Sequence, residues 1–263
     1  MKKKTVSFSL DGISGTGKSQ ILRLILGFYQ DQGCDVFGFF ENLISPERQW
    51  LSEEIDKIRA ISHLQSDQKK CLEDVVFTAN ASEGRAYLTD TIIRVIMNHW
   101  KPNLMGLDRW YPTNMAYQSL RTLTLQEIFE AHLIRRVFEP DLHILLTCPP
   151  ELAVERVDKR TTKMMRGTAG KMSTVRGKKG KIDISASLAK KQTIQDQILK
   201  IPEILGSEKC LVVDTSGSFE EVLKQILPSI SVLMGMSSDA IDVWYKSGKD
   251  IQEVPFDNVI LSG

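Results

Sequence analysis

Residues 12–19 read Gly12-Ile13-Ser14-Gly15-Thr16-Gly17-Lys18-Ser19, a complete G-x-x-x-x-G-K-[ST] phosphate loop. Each residue type has a physical task in such a loop. The glycines let the backbone take positive φ and bring its N–H groups against phosphate oxygens. The Lys18 ammonium suits the β and γ phosphates of ATP, and the Ser19 hydroxyl suits Mg²⁺. The whole stretch from Gly12 through Ile13, Ser14, Gly15, Thr16 and Gly17 to Ser19 is therefore the expected ATP site, with Lys18 expected to stand exposed in it. Its flanks agree. Residues 5–10 are apolar and β-rich and predict a strand. Ser19 to Leu26 carries helical apolar spacing, which sets a helix N-terminus under the triphosphate.

A second chemical pair, Asp108-Arg109, closes the apolar stretch 103–107. In open α/β sheets ligands bind outside the carboxyl ends of strands. There Asp108 can reach Mg²⁺ or its water shell, and Arg109 can grip a phosphate with two N–H groups. A structural Asp–Arg ion pair explains the same two residues. Beside a phosphate loop the ligand reading is preferred, with Arg109 expected across the cleft from the loop.

Five short apolar stretches, 5–10, 35–40, 103–108, 142–147 and 210–214, predict strands buried on both faces. Helical stretches lie between them, notably 70–100 and 114–137. Strands alternating with helices imply an α/β fold with one parallel sheet and right-handed crossovers. The net charge of +1 over 263 residues gives no global field for nucleic acid or an anionic surface. Without a run of 18 apolar residues no spanning helix is expected. The basic start Met1 to Lys4 runs directly into the first strand, so no signal peptide is expected. Cys34, Cys71, Cys148 and Cys210 form no C-x-x-C pair, which favours reduced thiols in a cytoplasmic protein over a disulfide or zinc framework. The histidines have no metal-ligand spacing.

Asp108-Arg109-Trp110-Tyr111-Pro112-Thr113-Asn114-Met115-Ala116-Tyr117-Gln118 resembles the D-R-Y-x-x-S-x-x-A-Y-Q segment of thymidylate kinases. Phe8 to Gly12 is similar to that family's opening strand, which ends in Glu-Gly. Pro140-Asp141-Leu142 through Pro149-Pro150-Glu151 resembles its fourth strand, and Val212 to Glu221 its last strand and adenine-side loop. Phe77 with Arg85-Ala86 is similar to its F-A-A-D-R-A helix, about one turn longer. The likeness spans roughly residues 4–228 and implies a P-loop kinase that passes the γ-phosphoryl of ATP to a nucleoside monophosphate, dTMP or a related acceptor. By that likeness Lys18 and the loop amides hold the donor, Ser19 binds Mg²⁺ and Arg109 holds the acceptor phosphate. Phe77 stacks on the base, Arg85 bonds its edge, and Tyr117 and Gln118 line the sugar and base pocket. A homodimer is expected by the same analogy; from the near-neutral charge and the absence of a long apolar run, no membrane partner is expected.

The departures fall on the acceptor side. Ser14 stands where many members carry an Asp that contacts the sugar 3′-hydroxyl. Phe40-Glu41-Asn42 replaces an R-E-P-G-G segment whose Arg helps bind the acceptor phosphate. The loop also lacks a basic residue at 13–16, which some members carry there and others in a lid. From Arg160 to Lys181 eight basic residues occur without an acidic one. A solvated loop and a nucleic-acid patch are open readings of that run, although it has no interleaved aromatics for stacking. The preferred reading is a basic lid over ATP at about 157–190, with Arg160 and Arg166 as its catalytic members. The expected organisation is thus a P-loop kinase domain over 1–228, with a five-stranded parallel sheet flanked by helices, and an extension over 229–263 of unassigned role.

Two other functions stay open. A deoxynucleoside kinase or other small-molecule kinase on this scaffold would use Glu41 as general base on a hydroxyl. A regulatory NTPase or nucleic-acid-binding module would use 160–181 as its contact surface, with affinity falling steeply with salt. Glu41→Gln separates the kinase readings. With a monophosphate acceptor, which needs no base, turnover should stay near normal; a fall of about 10²–10⁴-fold in kcat would assign Glu41 to proton removal from a hydroxyl.

Overall fold

The computed structural model describes residues 4–40, 90, 93–95, 97–120, 123–134, 136–167, 184–237 and 239–247. Five strands form one sheet: β1 (Val6–Gly12), β2 (Val36–Phe40), β3 (Leu104–Asp108), β4 (Leu142–Thr147) and β5 (Cys210–Asp214). They run in the order β2-β3-β1-β4-β5, and every neighbouring pair is parallel. The five sequence-predicted strands are all present. Parallel neighbours cannot be joined by tight hairpins, so the helices between them cover the two faces of the sheet.

Those helices are α1 (Lys18–Asp31), α2 (Tyr111–Gln118), α3 (Leu125–Ile134), α4 (Pro150–Gly167), α5 (Ile184–Leu205), α6 (Phe219–Met234) and α7 (Asp239–Ser247). On one face Phe8, Leu10 and Ile144 pack with Ile21, Leu22 and Ile25 of α1 and with Leu223, Ile226 and Ile230 of α6. Ile241 of α7 is buried in the same cluster, and Trp244 sets its ring edge-on to Phe28 at 5.7 Å. On the other face Met105, Leu107 and Leu145 meet Met115 of α2, Ile128 of α3 and Ile194, Ile198 and Ile201 of α5. Among the described residues no helix is long and apolar enough to cross a membrane.

The expected helix over 114–137 is two helices. Residue Thr124 interrupts it: its hydroxyl accepts from Glu127 N at 3.2 Å, while Glu127 Oε2 accepts from Thr124 N at 2.7 Å. This reciprocal pair restarts the chain as a new N-terminus. The T-x-x-E signature was legible in the sequence. The expected helix over 70–100 lies mostly outside the described residues.

Central β1 alternates two kinds of side chain. Phe8 and Leu10 face α1, while Ser7, Ser9 and Asp11 are buried on the opposite side. Buried polar groups need partners, and these have them. Asp141 Oδ2 accepts from Ser7 N and Ser7 Oγ at 2.9 and 2.8 Å. Ser9 Oγ donates to Asp11 Oδ2 at 2.7 Å and lies 2.9 Å from His143 Nδ1.

Helix α1 comes so close to the sheet that residue 106 must be glycine. A Cβ there would sit 2.3 Å from Leu22 Cδ1 and 2.7 Å from Phe8 Cζ. Both neighbours are fully buried and have nowhere to go. Gly106→Ala should cost about 1–3 kcal/mol through overpacking, read as a lower urea midpoint at unchanged m-value; an unchanged midpoint would show that α1 can shift away from β3.

Candidate active site

The loop after β1 closes on itself. Gly12 has φ 155°, and a Cβ there would lie 2.5 Å from the Leu146 carbonyl oxygen. Gly15 has φ 105° and would meet the Ala153 carbonyl oxygen of α4 at 2.3 Å. Both positions exclude a side chain. Gly17 forms the left-handed N-cap of α1, whose first turn has no acidic residue, so the positive end of that helix is left to an anion.

Lys18 corrects the expectation of an exposed side chain: it is only 6% exposed. Its ammonium donates to Gly12 O at 2.9 Å, Ile13 O at 2.6 Å and Thr16 Oγ1 at 3.2 Å. The loop curls around its own lysine because its carbonyls satisfy the ammonium that solvent does not reach. Burial, and next the positive charge of Arg109, push the Lys18 pKa down from 10.5 to about 7, against the opposing pull of Asp108 and Asp11.

Asp108, at the end of β3, accepts a short hydrogen bond from Ser19 Oγ of α1 through its Oδ2. Its Oδ1 is buried and has no hydrogen-bond partner among the described residues. An unpaired buried carboxylate oxygen costs free energy, and a hydroxyl beside it completes an all-oxygen donor pair of the kind Mg²⁺ takes. These two residues therefore fit the ion. No cluster of three or more His, Cys, Asp or Glu residues with metal-holding geometry occurs among the described residues.

Arg109 also departs from expectation. It does not stand across the cleft from the loop: its Nη2 donates to Ser14 Oγ at 3.1 Å. The cause is its backbone, held at φ 76°, where a non-glycine residue costs about 1–3 kcal/mol. Two neighbouring contacts hold that conformation. Arg109 N donates to Leu10 O at 3.0 Å, and Trp110 N donates to Asp11 Oδ1 at 3.0 Å.

Tyr117 and Gln118 end α2. Tyr117 packs half-buried against the core, and Gln118 is buried with its Oε1 unpartnered among the described residues. Glu41, Phe77 and Arg85 lie outside the described residues, as do the side chains of Arg160 and Arg166. The backbone of the latter two belongs to α4. The described ends of the expected lid, 157–167 and 184–190, are helical, and 168–183 lies outside the described residues.

Three residues here were not singled out from the sequence. Asp11 Oδ1 accepts from Thr113 N and Thr113 Oγ1 at 2.9 and 2.6 Å. A buried acid at a strand end, one residue before the loop, could have flagged it. Phe219 is 48% exposed and lies beside Gly17. Lys191 of α5 donates to Ser14 O at 2.6 Å across 177 residues of chain, and no sequence signal points to that contact.

A glycine loop between a central parallel strand and a helix, with a buried lysine and a Ser–Asp pair at its foot, defines a P-loop phosphotransferase. The thymidylate kinase family model matches residues 10–226. Relatives described as probable thymidylate kinases include one from Archaeoglobus fulgidus, 31% identical over 139 residues, 51% of this chain and 56% of that protein. Another, from Thermococcus kodakarensis, is 24% identical over 86% of this chain and 97% of its own length. A thymidylate kinase from a Geobacillus species is 24% identical over 85% and 94%. The chain belongs to the thymidylate kinase family, a family of ATP-dependent nucleotide kinases.

The depressed pKa of Lys18 has a measurable sign. Between about pH 7 and 10.5 the free protein binds less than a full proton there; donor phosphates, by raising that pKa, must draw a proton in. Calorimetric titration with ATP at about pH 8, in buffers of different ionisation enthalpy, should therefore show net proton uptake that Lys18→Met abolishes. Equal uptake in Lys18→Met would place the titrating group elsewhere.

Proposed function

We propose that this protein transfers the γ-phosphoryl of ATP to a nucleoside monophosphate, with dTMP or a closely related nucleotide as acceptor. The observation that carries the reading is the convergence of Lys18, Arg109 and the Ser19–Asp108 pair on one loop. Phosphoryl transfer asks chiefly for positioning and neutralisation of charge, and the residues present supply both. The loop amides and Lys18 hold the donor's β and γ phosphates. Lys18 must leave the loop carbonyls and turn to the phosphate oxygens, which exchanges three neutral acceptors for anionic ones. Ser19 and Asp108 would hold Mg²⁺, which when bound neutralises charge on the β and γ phosphates. Arg109, at the border between donor and acceptor, takes the acceptor phosphate once it lets go of Ser14. Phe219 offers an exposed ring for the donor base.

On the acceptor side, Tyr117 and Gln118 Oε1, unpartnered among the described residues, suit a sugar or base donor group, and Phe77, Arg85 and Glu41 would be further contacts to the acceptor. Arg160 and Arg166 would meet charge developing on the transferring group. The kinase domain is taken as 1–228 with its lid at about 157–190, in a homodimeric cytoplasmic enzyme.

The test is a panel of nucleoside monophosphates, nucleosides and small phosphorylated metabolites, incubated with ATP and Mg²⁺ while ADP release is followed. A monophosphate, dTMP foremost, should be the productive acceptor; release with nucleosides alone would overturn the reading. Arg109→Ala should raise the acceptor KM and lower kcat, by on the order of 10²-fold in kcat/KM, with a smaller change in ATP affinity. An equal loss of ATP binding would move Arg109 to the donor side.

A further inference from the structure

The loop carries no basic residue at 13–16, and by sequence the dense basic run 160–181 is the candidate source of that charge. The fold brings a different cation to the loop. Lys191 stands on α5, beyond that segment, and its Nζ lies 2.6 Å from the carbonyl oxygen of Ser14. Ser14 thus holds two cations at once: Lys191 on its carbonyl and Arg109, at 3.1 Å, on its hydroxyl. Lys18 takes the two preceding carbonyls, Gly12 and Ile13.

This placement is set by a rigid helix. Positions 191, 194, 195 and 198 share one helical face. Ile194 and Ile198 are buried in the core against the sheet, and Gln195 Oε1 accepts from Cys148 N at 3.1 Å. The core side of α5 therefore presents Lys191 to the loop as a built part of it. Two carboxylates lie in the same cluster. Asp11 is taken by Ser9, Trp110 and Thr113, and Asp108 Oδ2 by Ser19. Two cations, Arg109 and Lys191, thus close on Ser14 at the loop apex.

We propose that Lys191 is the third cation of the phosphoryl-transfer site, a positioning residue that fixes the loop apex at Ser14 and adds positive charge beside the donor's terminal phosphate. The role rests on the kinase reading above. It supplies from α5 a charge that the loop itself does not carry. Because the charge lies at the apex, a donor with a γ phosphate feels it more than one that ends at the β phosphate.

The experiment compares Lys191→Met and Lys191→Arg with the parent chain, measuring ATP and ADP affinity by calorimetry and kcat with the best acceptor. Lys191→Met should weaken ATP more than ADP and lower kcat by on the order of 10²-fold, at an unchanged melting temperature. Lys191→Arg should restore both the ATP preference and most of kcat. A Lys191→Met protein that loses ATP and ADP affinity equally would reduce the residue to a brace for the loop and overturn the proposal, as would unchanged ATP affinity and turnover. Should Lys191→Met melt early, Lys191→Gln, polar and uncharged, replaces it with the same expected ATP-specific loss. A parent chain that binds ATP but transfers phosphate to no acceptor sinks the kinase reading, while the ATP-to-ADP comparison still decides the role of Lys191.

Discussion

The carboxylate of Asp11 is the point on which the site is hung. It is fully buried at the end of the central strand, one residue before the loop. One oxygen takes Ser9 Oγ and the other takes Trp110 N, Thr113 N and Thr113 Oγ1. A buried carboxylate is tolerable only when its lone pairs are filled in this way. Because two of its donors are backbone N–H groups at the start of α2, Asp11 ties the end of β1 to the chain that leaves β3. Thr113 extends the tie by accepting from Gly12 N at 3.3 Å. The phosphate loop and the start of α2 are therefore held in one frame, the kind of preorganisation that electrostatic catalysis requires.

Behind that frame lies a second polar layer. His143, fully buried on β4, lies 2.9 Å from Ser9 Oγ through Nδ1 and 3.3 Å from Glu139 Oε1 through Nε2. Tyr111 donates to Glu139 Oε2 at 2.6 Å. Burial pushes the Glu139 carboxyl up, but the hydrogen bonds from His143 and Tyr111 and the charges of His143 and Lys209 outweigh it and hold it below the usual carboxylate range. The network fixes the ring of Tyr111, the first residue of α2, and so orients the same helix that Asp11 pins at its N-terminus. Two anchors on one short helix, joined through Ser9, explain how Arg109, two residues before it, is kept in a left-handed conformation.

Three cations and two carboxylates meet around the loop. Lys18, Arg109 and Lys191 approach Gly12, Ile13 and Ser14, while Asp11 and Asp108 Oδ2 accept hydrogen bonds from neutral donors. Burial makes the charged form of Lys18 costly. The Lys18 pKa is lowered first by that desolvation and then by Arg109, against the opposing charges of Asp108 and Asp11.

The phosphate loop, the five strands and the Asp108-Arg109 pair were legible in the sequence, because each is a local pattern: glycines at fixed spacing, apolar runs of strand length, an acid and a base at a strand end. The family likeness rested on the same local strings and extended them to the acceptor side. The break between α2 and α3 was written in Thr124 and Glu127 but outweighed by the apolar spacing on both sides of it. Contacts between distant residues were another matter. That Lys18 turns inward, that Arg109 reaches Ser14, and that Lys191 closes on the loop from 177 residues away depend on how α2 and α5 dock on the sheet. Periodicity tells which face of a helix is buried; what that face meets is decided by the packing of the whole core, and only the tertiary structure contains it.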